Sequence, residues 1–217
     1  MKFSLQARLG RQVVLAAVLA IGSSFASAGA YEDYFRAVAV DNESGLRDLL
    51  ARGLDPNTLD PTGQHGLFLA LRGGSSKVVR LLLQHPETRV ESTNAVGETP
   101  LMMASLRADL EAMKALIARG AQINRPGWTP LHYAASSPSV TPVQMLVDLG
   151  AQIDSRAPNG NTPLMLAARY GSEESVSLLL QRGADRGLRN ERNYNAADYA
   201  RLDGRESLAR KLETGAP

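Results

Sequence analysis

The chain has 217 residues, with 24 Lys and Arg against 22 Asp and Glu, and it contains three histidines and no cysteine. The absence of cysteine excludes disulfides and thiolate metal ligands. Lys2, Arg8 and Arg11 lie within positions 1–30, where there is no acidic residue, so the rest of the chain has 21 basic and 22 acidic residues. This net charge of −1 gives no support to nucleic-acid binding.

Positions 1–30 have the pattern of a secretory signal peptide. Three basic residues precede an apolar run at 13–21, and the small residues Ala26-Ser27-Ala28 follow. We predict a signal peptide over residues 1–28, with cleavage after residue 28 or residue 30, because Ala28-Gly29-Ala30 has the same small-x-small pattern. An uncleaved membrane anchor is disfavoured, since a membrane-spanning helix needs ~20 apolar residues. With the lack of cysteine, the leader predicts the bacterial periplasm, or secretion, as the location.

After this leader, a motif recurs along the chain at a nearly fixed spacing. Thr-Pro-Leu occurs at positions 99–101, 129–131 and 162–164. Gly-Ala follows at the same offset from each threonine, at 120–121, 150–151 and 183–184. A threonine hydroxyl can cap a helix that proline begins, and glycine ends helices, so each unit is predicted to be turn, helix, turn, helix. A repeat length of about 33 residues is typical of a solenoid.

The motifs Thr-Pro-Leu-His at 129–132 and Gly-Ala-Gln-Ile-Asn at 120–124 resemble those of the ankyrin repeat family. The resemblance covers about residues 33 to 213. It implies an all-α solenoid of stacked helix-turn-helix units with β-hairpin or turn connections, forming one domain over residues 31–217. We count about six units, including degenerate end units, and number them in chain order: 33–59, 60–93, 94–124, 125–155, 156–189 and 190–213.

Unit 2 departs most from the motif among the inner units. Gly66 stands where the helix-starting proline belongs, and Pro86 stands where the closing glycine belongs. Glycine within a helix costs roughly 0.5 to 1 kcal/mol relative to alanine. We therefore expect the N-terminal side of the array to be less stable than units 3 to 5.

Nothing in the sequence predicts catalysis, a cofactor or a metal site. His65, His85 and His132 have no adjacent nucleophile and no set of metal-ligating neighbours. In the ankyrin repeat family the histidine of the Thr-Pro-Leu-His motif hydrogen-bonds the backbone of the turns. The resemblance therefore implies a structural role for His132.

The resemblance also implies a concave face, lined by the hairpin tips and the first helices, that binds another protein. The residue before each motif threonine is expected to point outward from its tip, and the end of each first helix is expected to face the same side. Several of these positions carry residue types that are enriched in binding hot spots. The candidate binding residues are Glu98, Arg107, Trp128, Asn161, Arg169, Tyr170 and Tyr194.

The turn before Trp128 is short, since the motif leucines Leu101 and Leu131 are closer together in the sequence than Leu131 and Leu164. The sequence leaves open whether the indole contacts a partner or packs on a neighbouring hairpin. For Tyr170 and Tyr194, partial packing is favoured.

These features predict a non-catalytic protein–protein interaction module or adaptor, monomeric and without a membrane span once the leader is removed. Two other roles stay open. One is an accessory or chaperone factor for an envelope redox or haem enzyme, and the other is a secreted effector or toxin-neutralising protein.

Overall fold

The structure is a computed structural model that describes residues 29–215, so the predicted signal peptide at 1–28 lies outside the described residues. Within 29–215 the helices form six consecutive pairs. They are α1 (29–39) with α2 (Glu43–Ala51), α3 (Gly66–Gly73) with α4 (Ser76–Gln84), α5 (Pro100–Leu106) with α6 (Leu110–Ala118), α7 (Pro130–Ala135) with α8 (Thr141–Asp148), α9 (Pro163–Tyr170) with α10 (Glu173–Gln181), and α11 (Ala196–Leu202) with α12 (Glu206–Thr214). The predicted all-α solenoid of about six units is confirmed.

The helices form two rows. The first helices pack in order, α3 on α5, α5 on α7, α7 on α9 and α9 on α11, while the second helices pack as α2 on α4, α4 on α6 and α8 on α10. The core lies between the rows. Apolar motif residues of both rows are fully buried there: Leu101, Leu131, Leu164, Leu116, Leu146 and Leu179. Each unit thus buries its apolar face against its neighbours.

Two of the three motif threonines cap their first helices, as predicted, whereas the Thr129 side chain makes no cap bond to α7. The Thr99 hydroxyl accepts a hydrogen bond from the Met102 amide at 3.3 Å, and the Thr162 hydroxyl accepts one from the Met165 amide at 3.4 Å. In unit 6 the Asn195 side chain takes the same role for α11. These bonds satisfy amide groups that the helix itself leaves without an acceptor.

Unit 2 starts its first helix without such a cap, and Gly66 has a packing role there. Tyr34 of α1 is fully buried, and its hydroxyl donates to the Pro56 carbonyl at 2.8 Å. A Cβ atom on Gly66 would lie 2.1 Å from the Tyr34 oxygen. Neither proline nor alanine fits beside this ring, so the glycine allows unit 1 to pack closely on unit 2.

The second helix of unit 2 also ends without the closing glycine. Arg119, at the end of α6, donates to the carbonyls of Leu83, His85, Pro86 and Thr88 at 2.7 to 3.0 Å. A cation at a helix C terminus is favourable, and these bonds reach one carbonyl in the last turn of α4 and three in the chain just after it. A side chain of unit 3 therefore caps α4.

Four of the connections between units are tight hairpin turns. In each turn a backbone amide donates to a carbonyl on the other side of the turn, at 2.9 to 3.1 Å: Asp60 to Gln64, Asn94 to Glu98, Ala157 to Asn161, and Asn190 to Tyr194. The connection before α7 differs in its hydrogen bonding. Gly127 has a φ of +80°, but among the described residues no backbone bond of this kind closes the turn. The shorter turn that carries Trp128 is therefore a distinct structure.

Candidate protein-binding cleft

Two adjoining cavities lie where hairpin tips meet the first helices of units 3 to 6. The first, the polar cleft, has a volume of about 380 Å³ and includes Trp128, Arg169, Tyr170, Glu191, Arg192 and Tyr199. The second, the apolar depression, has a volume of about 310 Å³ and includes Leu106, Trp128, Tyr133, Leu166 and Tyr170. Trp128, Leu166 and Tyr170 form a wall that both cavities share.

Trp128 both packs and remains accessible. Its ring meets His132 edge to face at 5.3 Å and Tyr133 at 6.3 Å, and its side chain is half-buried. The indole therefore lies over the start of α7, while its free part lines both cavities. The two alternatives that the sequence left open for this residue are compatible with each other.

Arg169 lies between two tyrosine rings. Its guanidinium carbon is 4.8 Å from the ring centre of Tyr170 and 5.5 Å from that of Tyr199. Its Nε is buried and has no hydrogen-bond partner among the described residues. Within 29–215 no carboxylate forms an ion pair with it, whereas Arg182 and Arg189 each have one. The cation is held in place without a compensating anion.

The end of α9 that carries Arg169 and Tyr170 is fixed from both sides. Arg205 donates to the carbonyls of Ala168 and Gly171, each at 3.0 Å. A Cβ atom on Gly171 would lie 2.2 Å from the Ala135 carbonyl oxygen, so this glycine lets α9 approach α7 closely. A rigid helix end of this kind suits a binding site, because little conformational freedom is lost on binding.

Asn161 corrects one prediction. Its side chain does not point outward from the tip: it is 5% exposed, and its oxygen accepts hydrogen bonds from Asn190 at 2.7 Å and from the Tyr199 hydroxyl at 3.0 Å. A buried amide needs such partners, and these join unit 5 to unit 6. Asn161 thus supports the floor of the polar cleft rather than offering a free contact.

His132 is structural, as the family resemblance implied. It is fully buried, its Nε2 donates to the Asn161 carbonyl at 3.0 Å, and its Nδ1 accepts from the Thr129 amide at 3.2 Å. Burial lowers its pKa to about 4. The ring therefore stays neutral and links the turns of units 4 and 5.

The other three candidates lie outside the polar cleft. Glu98 accepts a hydrogen bond from the Tyr133 hydroxyl at 2.7 Å and so orients the ring that borders the apolar depression. The pKa of Tyr133 is raised, first by burial and second by the Glu98 carboxylate. Tyr194 is 38% exposed and packs 6.1 Å from the Tyr199 ring. Arg107 is exposed and lies beside Gly74. The structure gathers Trp128, Arg169 and Tyr170 but not these three.

The lining residues that sequence reasoning missed include Tyr133, Leu166 and Tyr199. Each stands at the same offset after the residue that precedes the first helix of its unit, which is Thr129, Thr162 or Asn195. Residues at this position lie one turn into the first helix. Large side chains at a fixed offset from the motif were the signal that could have identified them.

The described residues hold no group of three or more His, Asp or Glu side chains that could bind a metal ion. Among 29–215, no helix is both long and apolar enough to cross a membrane.

The family model for ankyrin repeats (three copies) matches residues 35–126, 85–157, 107–190 and 131–212. The chain therefore belongs to the ankyrin repeat family, and it is a protein–protein interaction module built from these repeats.

Similar proteins include the Nuclear factor NF-kappa-B p105 subunit of Gallus gallus, 32% identical over 71% of this chain and 16% of that protein. The B-cell lymphoma 3 protein homolog of Mus musculus is 32% identical over 72% of this chain and 36% of that protein. The chain thus spans less than half the length of these relatives. Among solved structures, one chain of the complex of the Bd0816 predatory endopeptidase from Bdellovibrio bacteriovorus with immunity protein Bd3460 matches with a TM-score of 0.71 and 25% identity, over 84% of this chain and 97% of that chain.

Proposed function

We propose that this chain is a non-catalytic adaptor that binds one protein partner through the polar cleft and the apolar depression. The observation that carries the proposal is the cluster of Trp128, Arg169 and Tyr170, contributed by two adjacent units. Tyr170 is 52% exposed, and the buried Nε of Arg169 has no acceptor among the described residues. Trp, Tyr and Arg are the residue types most enriched in binding hot spots.

Two further points support a binding role without catalysis. Ankyrin repeats are generally non-catalytic. His132, the histidine beside the cluster, uses both ring nitrogens in hydrogen bonds within the fold, and its lowered pKa disfavours the protonated form. A general acid or base needs a free ring nitrogen and a pKa near the working pH.

The deciding experiment compares the mature protein with the triple variant Trp128→Ala, Arg169→Ala, Tyr170→Ala as baits in affinity purification from the native envelope. We expect the variant to lose the partner, since hot-spot residues contribute ~2 kcal/mol or more each. Its thermal melt should stay close to that of the wild type. Val96→Ala is a matched control, because Val96 is a 74% exposed apolar residue on another hairpin tip.

Each outcome has a clear meaning. If the triple variant still captures the partner, the interface lies elsewhere on the protein. If its melting temperature falls strongly, Trp128 and Tyr170 are core residues rather than binding residues. Leu179→Ala separates the two effects, since losing this buried side chain should cost ~2 to 5 kcal/mol of stability and reduce binding only through unfolding.

We further propose the periplasm as the site of action, supported by the signal-peptide pattern at 1–28. Intact-mass measurement on protein from an envelope fraction should give an N terminus at Gly29 or Tyr31. A retained leader in the mature protein would contradict this location.

A toxin-neutralising role is a second candidate. It is favoured by the match to a chain from a complex of an endopeptidase with an immunity protein. If this role is correct, the captured partner is a hydrolase, and an equimolar amount of this protein suppresses its activity while the triple variant does not. If binding does not change the activity of the partner, the toxin-neutralising role is wrong and the adaptor role stands.

A further inference from the structure

We infer that the polar cleft recognises an acidic side chain of the partner, an Asp or Glu within an internal segment, and that a neighbouring apolar side chain of the same segment fills the apolar depression. This inference rests on the proposed function and names the chemistry of the partner. It starts from the charges of the cleft. Arg169 and Arg192 line it, with Glu191 as the carboxylate, so the lining carries a net positive charge.

Arg169 is the centre of this recognition. The rings of Tyr170 and Tyr199 hold its guanidinium, and its Nε is buried without an acceptor among the described residues. Arg169 lines the cleft and has no ion-pair partner among the described residues, and a carboxylate is the acceptor that fits its planar guanidinium fork. The structure therefore presents a cation whose hydrogen-bonding capacity a bound carboxylate completes.

The source of the carboxylate follows from the donors around the cleft. A chain-terminal carboxylate is usually held by a nest of free backbone amides. Here the amides of Gly160, Asn161, Glu191 and Arg192 all donate to acceptors within the hairpin tips. The available donors are arginine side chains, which favours a carboxylate side chain over a chain terminus.

The apolar depression supplies the second contact. Leu106, Tyr133 and Leu166 border it, and it shares Trp128 and Tyr170 with the polar cleft. Two nearby side chains of one extended segment can therefore enter the two cavities on either side of this wall. The two contacts together give a recognition rule, an acidic residue close to an aliphatic one.

Trp128 provides the signal for a direct test, because it is the protein's single tryptophan and lies in the shared wall. The probes are N-acetylated, C-amidated peptides with Leu and Glu separated by zero, one or two Ala residues. Matched probes replace Glu with Gln, or Leu with Ala, and one further probe has Gln followed by a C-terminal Leu with a free carboxylate. Binding to the mature protein is followed by Trp128 fluorescence.

We expect the best Leu/Glu peptide to bind about tenfold or more tightly than its Gln counterpart, and the Ala counterpart to be weakened as well. Arg169→Gln should abolish the preference for Glu over Gln while leaving the Leu contribution. Arg80→Gln is the matched control, since this exposed arginine of α4 lines neither cavity and should leave the preference intact. Equal binding of Glu and Gln peptides overturns the inference, and so does tighter binding of the free-carboxylate peptide.

The two proposals fail separately. If the triple variant loses the envelope partner but Arg169→Gln captures it normally and the peptides show no preference for Glu, the proposed interface stands and the carboxylate rule is wrong. If Arg169 confers the Glu preference but the triple variant still captures the partner, the cleft binds acidic peptides and the partner docks elsewhere.

Discussion

The first helix of unit 5 and the first helix of unit 2 occupy equivalent places in the array, yet different residues stabilise them. In unit 5, Thr162 and Pro163 begin the helix from within the unit. In unit 2, Gly66 begins the helix without a side-chain cap, and Tyr34 from unit 1 fills the space beside it. A unit that keeps the motif carries its own helix start, whereas unit 2 depends on a neighbour.

The second helices show the same contrast. Gly183 follows α10 with a φ of +92°, a conformation that suits glycine at a helix C terminus. At the end of α4, Pro86 takes the place of the closing glycine, and Arg119 from unit 3 supplies the cap instead. Unit 2 is therefore stabilised from both sides, and its stability should be inseparable from that of units 1 and 3.

The largest expected effect is that of Tyr34→Ala. Loss of a buried aromatic side chain should lower the free energy of unfolding by about 3 to 5 kcal/mol. Because Tyr34 is what packs on Gly66, hydrogen exchange should show α3 and α4 losing protection while α9 and α10 keep theirs. Tyr34→Phe is the control, since it removes only the bond to Pro56, worth about 1 kcal/mol. Equal loss of protection in all units would contradict the dependence of unit 2 on unit 1.

Arg119→Met tests the second support. Its four bonds to carbonyls at and just after the end of α4 should be worth about 2 to 3 kcal/mol, because a charged donor makes them. Arg182 precedes the closing glycine of unit 5 just as Arg119 does in unit 3, but it pairs with Asp148 at the surface. Arg182→Met should therefore cost less than about 1 kcal/mol. If urea denaturation shows similar losses of unfolding free energy for Arg119→Met and Arg182→Met, unit 2 does not depend on Arg119.

The sequence was a good guide where a unit contains all parts of the motif, and a poor one where two units share a contact. Thr162 as a cap and Leu179 as a core residue follow from local rules on helix termini and apolar spacing. Gly66 looked like a defect because the ring that needs its space belongs to the preceding unit. Asn161 looked exposed because its partners belong to the next unit. The spacing of the repeated motif does not show which residues of neighbouring units contact each other.

The same reasoning applies to the cleft. Residue type and position were enough to select Trp128, Arg169 and Tyr170, which the structure brings together. They were not enough to place Glu98 against Tyr133, since this bond joins two different units. The choice between a free side chain and one used within the fold depends on these cross-unit bonds.

His132 makes a contribution to the free energy of unfolding that changes with pH by about 2 kcal/mol. Its ordinary pKa of 6.5 is lowered to about 4 in the fold, so below pH 6.5 the unfolded chain binds a proton that the folded protein does not. Stability from this residue is therefore present above pH 6.5 and is lost as the pH falls toward 4, by about 2 kcal/mol between pH 7 and pH 4.5.

The chain itself offers the matched variant. Units 3 and 5 have Met102 and Met165 at the position of His132. His132→Met should therefore be tolerated, with a lower stability at pH 7 because the bond to the Asn161 carbonyl is lost. The difference in unfolding free energy between wild type and variant should shrink as the pH falls from 6.5 to 4.5. A constant difference would mean that the fold does not lower the pKa of this ring.

The smallest effect, and the most direct test of the contrast, uses two glycines of one helix. Gly66→Ala places a Cβ 2.1 Å from the Tyr34 oxygen and 2.6 Å from two of its ring carbons, so the ring or the helix must shift, at a cost of about 1 kcal/mol. Gly73→Ala lies at the other end of α3, where the nearest atom, the Ser75 hydroxyl, would be at 3.7 Å. Alanine there should stabilise by about 0.5 kcal/mol, because it removes conformational freedom from the unfolded chain. If thermal and urea denaturation show that Gly66→Ala destabilises the protein and Gly73→Ala stabilises it, packing against Tyr34 requires Gly66 and nothing requires Gly73. If Gly66→Ala stabilises as Gly73→Ala does, the glycine is a defect of unit 2 after all, and Tyr34 is not what requires it.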